Sequence, residues 1–67
     1  MAELKSKIRE LREARGMSTQ QLADILGVSQ RQVQLYEKGE SVPKLEGLII
    51  LADLFGVSTD YLLGREA

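Results

Sequence analysis

The 67-residue sequence predicts an all-α domain of five short helices, and three observations predict it. Apolar residues recur at three- and four-residue spacing instead of alternating. Gly16, Gly27, Gly39, Gly56 and Gly64 each close one of those periodic segments, as a residue that adopts the left-handed conformation does at a helix end. Ser18, Ser29 and Ser58 stand just before three of the segments, where an exposed helix terminus needs a capping oxygen. No stretch alternates as a half-buried strand does, and no heptad array or low-complexity segment appears.

Taken in order, Leu4, Ile8 and Leu11 share one face of a first helix running from about Glu3 to Arg15. Ser18 or Thr19 caps a second, short helix whose inner face is Leu22, Ala23 and Leu26. Ser29 caps the third. There Val33 and Tyr36 turn inward, while Gln30, Arg31, Gln32 and Gln34 make a polar face of amides in place of the usual Glu and Lys. A loop from Glu40 to Pro43 leads into a fourth helix with the core stripe Leu45, Leu48, Ile49, Ala52 and Phe55. The fifth helix, Thr59 to Leu63, has Tyr61 and Leu62 available to pack.

Composition narrows the function. The length holds one domain, residues 1–67. The chain has neither Cys nor His, so disulfides, thiolate or imidazole metal sites and the commonest nucleophile and base pairs are excluded. Its carboxylates are not set together on a face that an apolar pocket could surround, which argues against catalysis. No metal site, no cofactor and, in so small a core, no effector pocket is expected. The longest apolar run, Leu48 to Ala52, is far shorter than the roughly 20 residues that span a bilayer, and the start lacks an apolar leader core; a cytoplasmic location without membrane attachment is the expectation. The net charge is −1, but it is unevenly spread: Met1 to Lys44 carries eight basic and six acidic residues, and Leu45 to Ala67 one basic and four acidic.

The informative window runs from Thr19 to Lys38. Two helices joined by a three- or four-residue turn cross steeply, so the first needs a small side chain at the crossing and the turn a residue without Cβ. Ala23 and Gly27 meet those needs, and Val33 is placed to plug the second helix onto the first. With helices on both sides, this pattern resembles the lambda-repressor-like, Cro or Xre type of helix-turn-helix domain. The resemblance covers nearly the whole chain. It is carried by Ile8 to Arg12, Met17-Ser18, Leu22-Ala23, Leu26 to Gln30, Val33, Tyr36 to Gly39, Pro43, Leu54 to Ser58 and Asp60 to Gly64.

That resemblance implies a compact five-helix DNA-binding domain with a central helix-turn-helix at about 19–38, acting as a repressor-like transcriptional regulator on double-stranded DNA. It implies that the helix from Gln30 to Lys38 lies in the major groove, its first residues reading base edges. Side-chain chemistry agrees, since Gln pairs bidentately with adenine and Arg with guanine. Gln30, Arg31 and Gln34 are the expected base readers. Thr19, Gln20, Ser29, Gln32, Lys38 and Lys44 are expected to support them or to meet the backbone, with the serines acting mainly as caps. Lys5, Lys7, Arg9 and Arg15 read as solubility charges before phosphate ligands. Arg12 and Glu37 correspond to a partly buried ion pair that holds the first helix against the third.

Three departures from the family pattern stand out. Thr19 replaces a Gln that meets a phosphate and braces the first reading Gln, which leaves Gln20 as its substitute. Leu35 replaces a polar or basic residue, and the loop Glu40-Ser41-Val42 is poor in positive charge. A modest half-site affinity follows. Ile50 and Leu54 fall off the core stripe of the fourth helix; they either pack under the fifth helix or form a patch for a two-fold homodimer, with Tyr61 and Leu62 nearby. Such a dimer fits a near-palindromic operator. A different class of function stays open: the same fold used for protein-protein interaction, as in an antitoxin-like or antirepressor-like partner, a reading that the acidic second half favours.

Overall fold

The computed structural model describes residues 2–65 and forms the five expected helices. They are α1 (Ala2–Ala14), α2 (Thr19–Leu26), α3 (Gln30–Lys38), α4 (Leu45–Phe55) and α5 (Thr59–Leu62). Their ends are set by the residues the sequence singled out. Ser18 accepts from the Gln21 amide at 3.1 Å while the Gln21 side chain accepts from the Ser18 amide at 2.8 Å, a reciprocal cap on α2. Ser29 and Ser58 accept from the amides of Gln32 and Tyr61 at 3.1 and 2.9 Å. At the other end of α2, Gly27 takes φ +72°, which lets the Val28 amide reach back to the Ala23 carbonyl at 3.0 Å and turns the chain into α3.

The turn matters because it sends α3 across α2 at Ala23, which is completely buried and has only a methyl group to accommodate there. Val33 of α3, also wholly buried, fills the contact, with Leu26, Val28 and Tyr36 partly buried around it. α3 packs on α2 and α1; α4 and α5 pack on each other and close the core against α2 and α1 respectively. The centre is Leu4 and Ile8 of α1, Leu22 and Ala23 of α2, Val33 of α3, Leu51, Ala52 and Phe55 of α4, and Leu62 of α5. Nine residues make a helix too short to persist alone, so α3 takes its orientation from these contacts.

Helix α4 departs from expectation. Leu45 and Ile49, expected in its core stripe, are 70% and 46% exposed, and Leu51, not expected there, is fully buried beside Ala52 and Phe55. The buried face is thus rotated toward Leu51. The reason is that α4 is apolar around most of its circumference, so periodicity alone does not fix its rotation; packing against α5 does. Leu62 is likewise corrected: it is completely buried and cannot belong to a dimer surface. Leu54 packs on the core, Ile50 is half-buried, and the Tyr61 ring lies under the Lys7 ammonium, 4.5 Å from the ring centroid.

This rotation predicts that Leu51→Ala destabilises the domain by about 3 kcal/mol, as expected for a buried Leu truncated to leave a cavity, while Leu45→Ala changes stability by less than about 0.5 kcal/mol. Urea denaturation of the two variants checks it.

Candidate nucleic-acid interface

The presentation of α3 starts at its far end. Arg12 of α1 donates from Nε to Glu37 Oε2 at 2.7 Å and from Nη2 to Glu37 Oε1 at 3.1 Å, a bidentate pair across 25 residues of sequence. Its third nitrogen, Nη1, donates to the Met17 carbonyl at 2.8 Å in the turn before α2. The Arg12 and Glu37 side chains are only 13% and 10% exposed. The hydrogen bond to Glu37 raises the Arg12 pKa above its ordinary value against the opposing effect of burial. The expected ion pair is therefore present, and one guanidinium ties α1, the α1–α2 turn and α3 together.

At the amino-terminal end of α3, the glutamines divide. Gln30 is exposed and donates from Nε2 to Thr19 Oγ1 at 2.8 Å. Thr19 itself therefore braces Gln30. Gln20, the expected substitute, is instead bound to Asp24 one turn along α2 at 2.9 Å, because from the second position of the helix its side chain meets the residue four ahead before it can reach α3. Gln32 is half-buried and turns away from the exposed face to donate to Ser41 Oγ in the α3–α4 loop at 2.9 Å. Arg31 and Gln34 are exposed and, among the described residues, have no side-chain partner. At positions 30, 31 and 34, the three expected readers share one face of α3.

The remaining positive charge is arranged differently from the basic front half that composition suggests. On α1, Arg9 pairs with Glu13 at 3.4 Å. Lys7 sits over Tyr61, and Arg15 lies 5.7 Å from the Phe55 ring centroid. Lys5 lies along Gly39 so closely that a Cβ there would stand 2.9 Å from its Cδ. Lys5, Lys7 and Arg15 thus lie against the rest of the fold, whereas Arg9–Glu13 is an exposed pair within α1. Arg31, Lys38 and Lys44 are exposed and make no ion pair among the described residues. Ser29 caps α3, whereas Lys44 starts α4 with no side-chain cap.

Three features escaped the sequence. Ser41 gave no signal, because a serine in a loop has no periodic context. The apolar pair Leu45 and Ile49 was hidden in the misplaced core stripe. An open groove of about 540 Å³ lies between the α2–α3 turn, α3 and the start of α4, lined by Leu26, Val28, Tyr36, Val42 and Ile50 among others; it is assembled from a turn and a loop that carry no pattern. Among the described residues no group of acidic side chains is placed to hold a metal ion, and no helix is long and apolar enough to cross a membrane.

The sequence model of the helix-turn-helix family HTH_3 matches residues 8–62, which takes in all of the geometry above from Arg12 through Lys44. The chain belongs to this Xre, Cro and lambda-repressor-like family. Within it, the chain is 45% identical over 60 residues to the HTH-type transcriptional regulator AnsR of Bacillus subtilis (strain 168), covering 90% of this chain and 52% of AnsR. It is 36% identical over 64 residues to the cryptic phage CTXphi transcriptional repressor RstR of Vibrio cholerae, covering 96% of this chain and 57% of RstR. The chain thus spans about half the length of these relatives. Among solved structures, the P22 c2 repressor in complex with a synthetic operator superposes with a TM-score of 0.86 at 28% identity, covering 94% of this chain and 96% of that one. The five-helix family fold is therefore shared along nearly the full chain.

Because the pair is nearly buried, removing one partner strands the other charge. Arg12→Ala is predicted to cost about 3 kcal/mol, lowering the melting temperature by about 12–24 °C for a domain of this size. Arg12→Met combined with Glu37→Met should recover much of that loss, since apolar replacement of a buried pair is often neutral. Thermal denaturation of the single and double variants measures both.

Proposed function

We propose that this chain is the DNA-binding domain of a repressor-like transcriptional regulator, with α3 in the major groove of a double-stranded operator. The observation that carries the reading is the pairing of a fixed helix with free side chains: α3 is tied by Arg12 and capped by Ser29, while Arg31 and Gln34 stand exposed on its outer face and, among the described residues, unpaired. Family membership and the names of its relatives support it. The groove is about 12 Å wide and admits one helix.

Each reader has a definite chemistry. Arg31 offers two donors to guanine O6 and N7, and Gln34 an acceptor and a donor to adenine N6 and N7. Gln30 spends one amide hydrogen on Thr19. The other amide hydrogen and Oε1 remain, and that combination matches adenine. Lys38 and Lys44 supply sequence-independent contacts to the phosphates.

Binding as a two-fold homodimer to a near-palindrome completes the reading, since it places two recognition helices about 34–36 Å apart on one face of the duplex. The surface that supports it is the outer face of α4, where Leu45 and Ile49 are exposed beside half-buried Ile50. The same apolar face is the specific observation that favours the other reading, a protein-protein interaction module. Salt separates them: each phosphate contact contributes about −0.9 to the slope of log affinity against log salt, and an apolar interface contributes none.

Selection of bound sequences from random duplex DNA tests the proposal. An inverted repeat is expected, with Arg31→Ala and Gln34→Ala each relaxing one position per half-site at a cost of about 1–3 kcal/mol, and Lys38→Gln or Lys44→Gln reducing the salt slope by about 1 without altering the motif. Sedimentation on the recovered duplex should show two protein chains, and Ile49→Glu should leave one. Recovery of no motif at low salt would reject DNA readout.

A further inference from the structure

We infer that Gln32 is a positioning residue: it holds the middle of the α3–α4 loop against the reading end of α3, so that the loop is ordered before DNA arrives, and it does not itself read a base. The inference rests on the DNA reading above and concerns a residue whose place on the polar face of α3 suggests direct contact.

The loop from Gly39 to Lys44 is secured firmly at its two ends. At its start, the Glu40 amide donates back to the Leu35 carbonyl at 3.0 Å as part of the close of α3. At its finish, buried Pro43 packs on α4 so tightly that a Cβ on Gly47 would stand 3.2 Å from the Pro43 Cβ. Between them, Ser41 and Val42 have no main-chain hydrogen bond within the described residues. Among the described residues, the one polar tie on that stretch is the 2.9 Å hydrogen bond from Gln32 Nε2 to Ser41 Oγ, and it is partly buried.

The position of Gln32 gives the tie its significance. Its main-chain amide is the one that the Ser29 cap binds at 3.1 Å, so the same residue is fixed to the amino terminus of α3 through its backbone and to the loop through its side chain. The loop is thereby registered to the end that carries Gln30, Arg31 and Gln34, nine residues away from Ser41 in sequence at the tie itself. A strand of DNA backbone flanking a helix in the groove must pass beside such a loop. Segments ordered in advance lose less freedom on binding, and that saving appears as affinity without sequence information. With Lys44 the only basic residue between Glu40 and Lys44, loop geometry takes over part of what a basic loop would achieve by charge.

The test compares the unsubstituted protein with Gln32→Met, Ser41→Ala, the double variant and Ser41→Thr. Two readouts are taken: backbone order parameters and amide exchange of Ser41 and Val42 in the free protein, and affinity and base preference on the selected duplex. The expected result is that Gln32→Met and Ser41→Ala loosen the loop equally and weaken binding by about threefold to tenfold, the size of one net hydrogen bond. The double variant should be no weaker than either single, Ser41→Thr should restore both readouts, and the base preference should not change. Losses that multiply in the double variant, a base preference altered by Gln32→Met, or a loop equally ordered without the tie would each overturn the inference. Failure of the unsubstituted protein to bind any duplex would defeat the DNA reading itself, and this role with it.

Discussion

The bidentate contact between Arg12 and Glu37 is the interaction on which the orientation of α3 depends. Hydrophobic burial brings the helices together, but it is non-directional, and a nine-residue helix resting on Val33 and Tyr36 has freedom to roll. The planar guanidinium removes that freedom. Two of its nitrogens fix the carboxylate at the carboxyl-terminal end of α3, and the third fixes the Met17 carbonyl just before α2. Both halves of the helix-turn-helix are thus referred to one rigid group on α1. Lysine would keep the charge but lose the fork, and with it the geometry.

With the far end held, the side chains of α3 separate into two sets. Gln32 and Glu37 face the protein and anchor the helix to the α3–α4 loop and to α1; Gln30 stands at the boundary, exposed but braced by Thr19; Arg31, Gln34 and Lys38 face outward without partners among the described residues. A similar separation governs the basic residues. Lys5, Lys7 and Arg15 lie against the close of α3, Tyr61 and Phe55, and Arg9 pairs with Glu13 within α1, so part of the nominal positive front of the chain is packed on the fold. The exposed cations Arg31, Lys38 and Lys44 stand on α3 and at the start of α4.

The parts of the fold legible in the sequence were those set by local chemistry. Ser18, Ser29 and Ser58 announced helix starts because a hydroxyl there satisfies an amide the helix cannot, and Gly27 announced the turn because its backbone must enter the left-handed region. Ala23 and Val33 were legible for a steric reason, the close crossing of α2 and α3. Arg12 and Glu37 became visible only through resemblance to the family, since nothing local relates residues 25 apart. The rotation of α4 was not legible: with apolar residues on nearly every side, Leu45, Ile49 and Leu51 are equivalent until α5 is in place. Leu62 was misplaced for a related reason, as a four-residue helix has no period to read. The glutamines were legible as a group but not as individuals, because what distinguishes Gln32 from Gln34 is a loop serine that only the folded chain brings near.

In the proposed complex α3, held by Arg12, meets DNA with its amino-terminal half. The most direct measurement is the change in backbone amide chemical shifts when a short duplex carrying the selected half-site is added to isotope-labelled protein. The largest changes are expected on Thr19, on residues 29–34 and on the loop at 40–44, with α5 nearly silent. Changes centred instead on Leu45 and Ile49, with α3 unmoved, would contradict it and identify the outer face of α4 as the working surface.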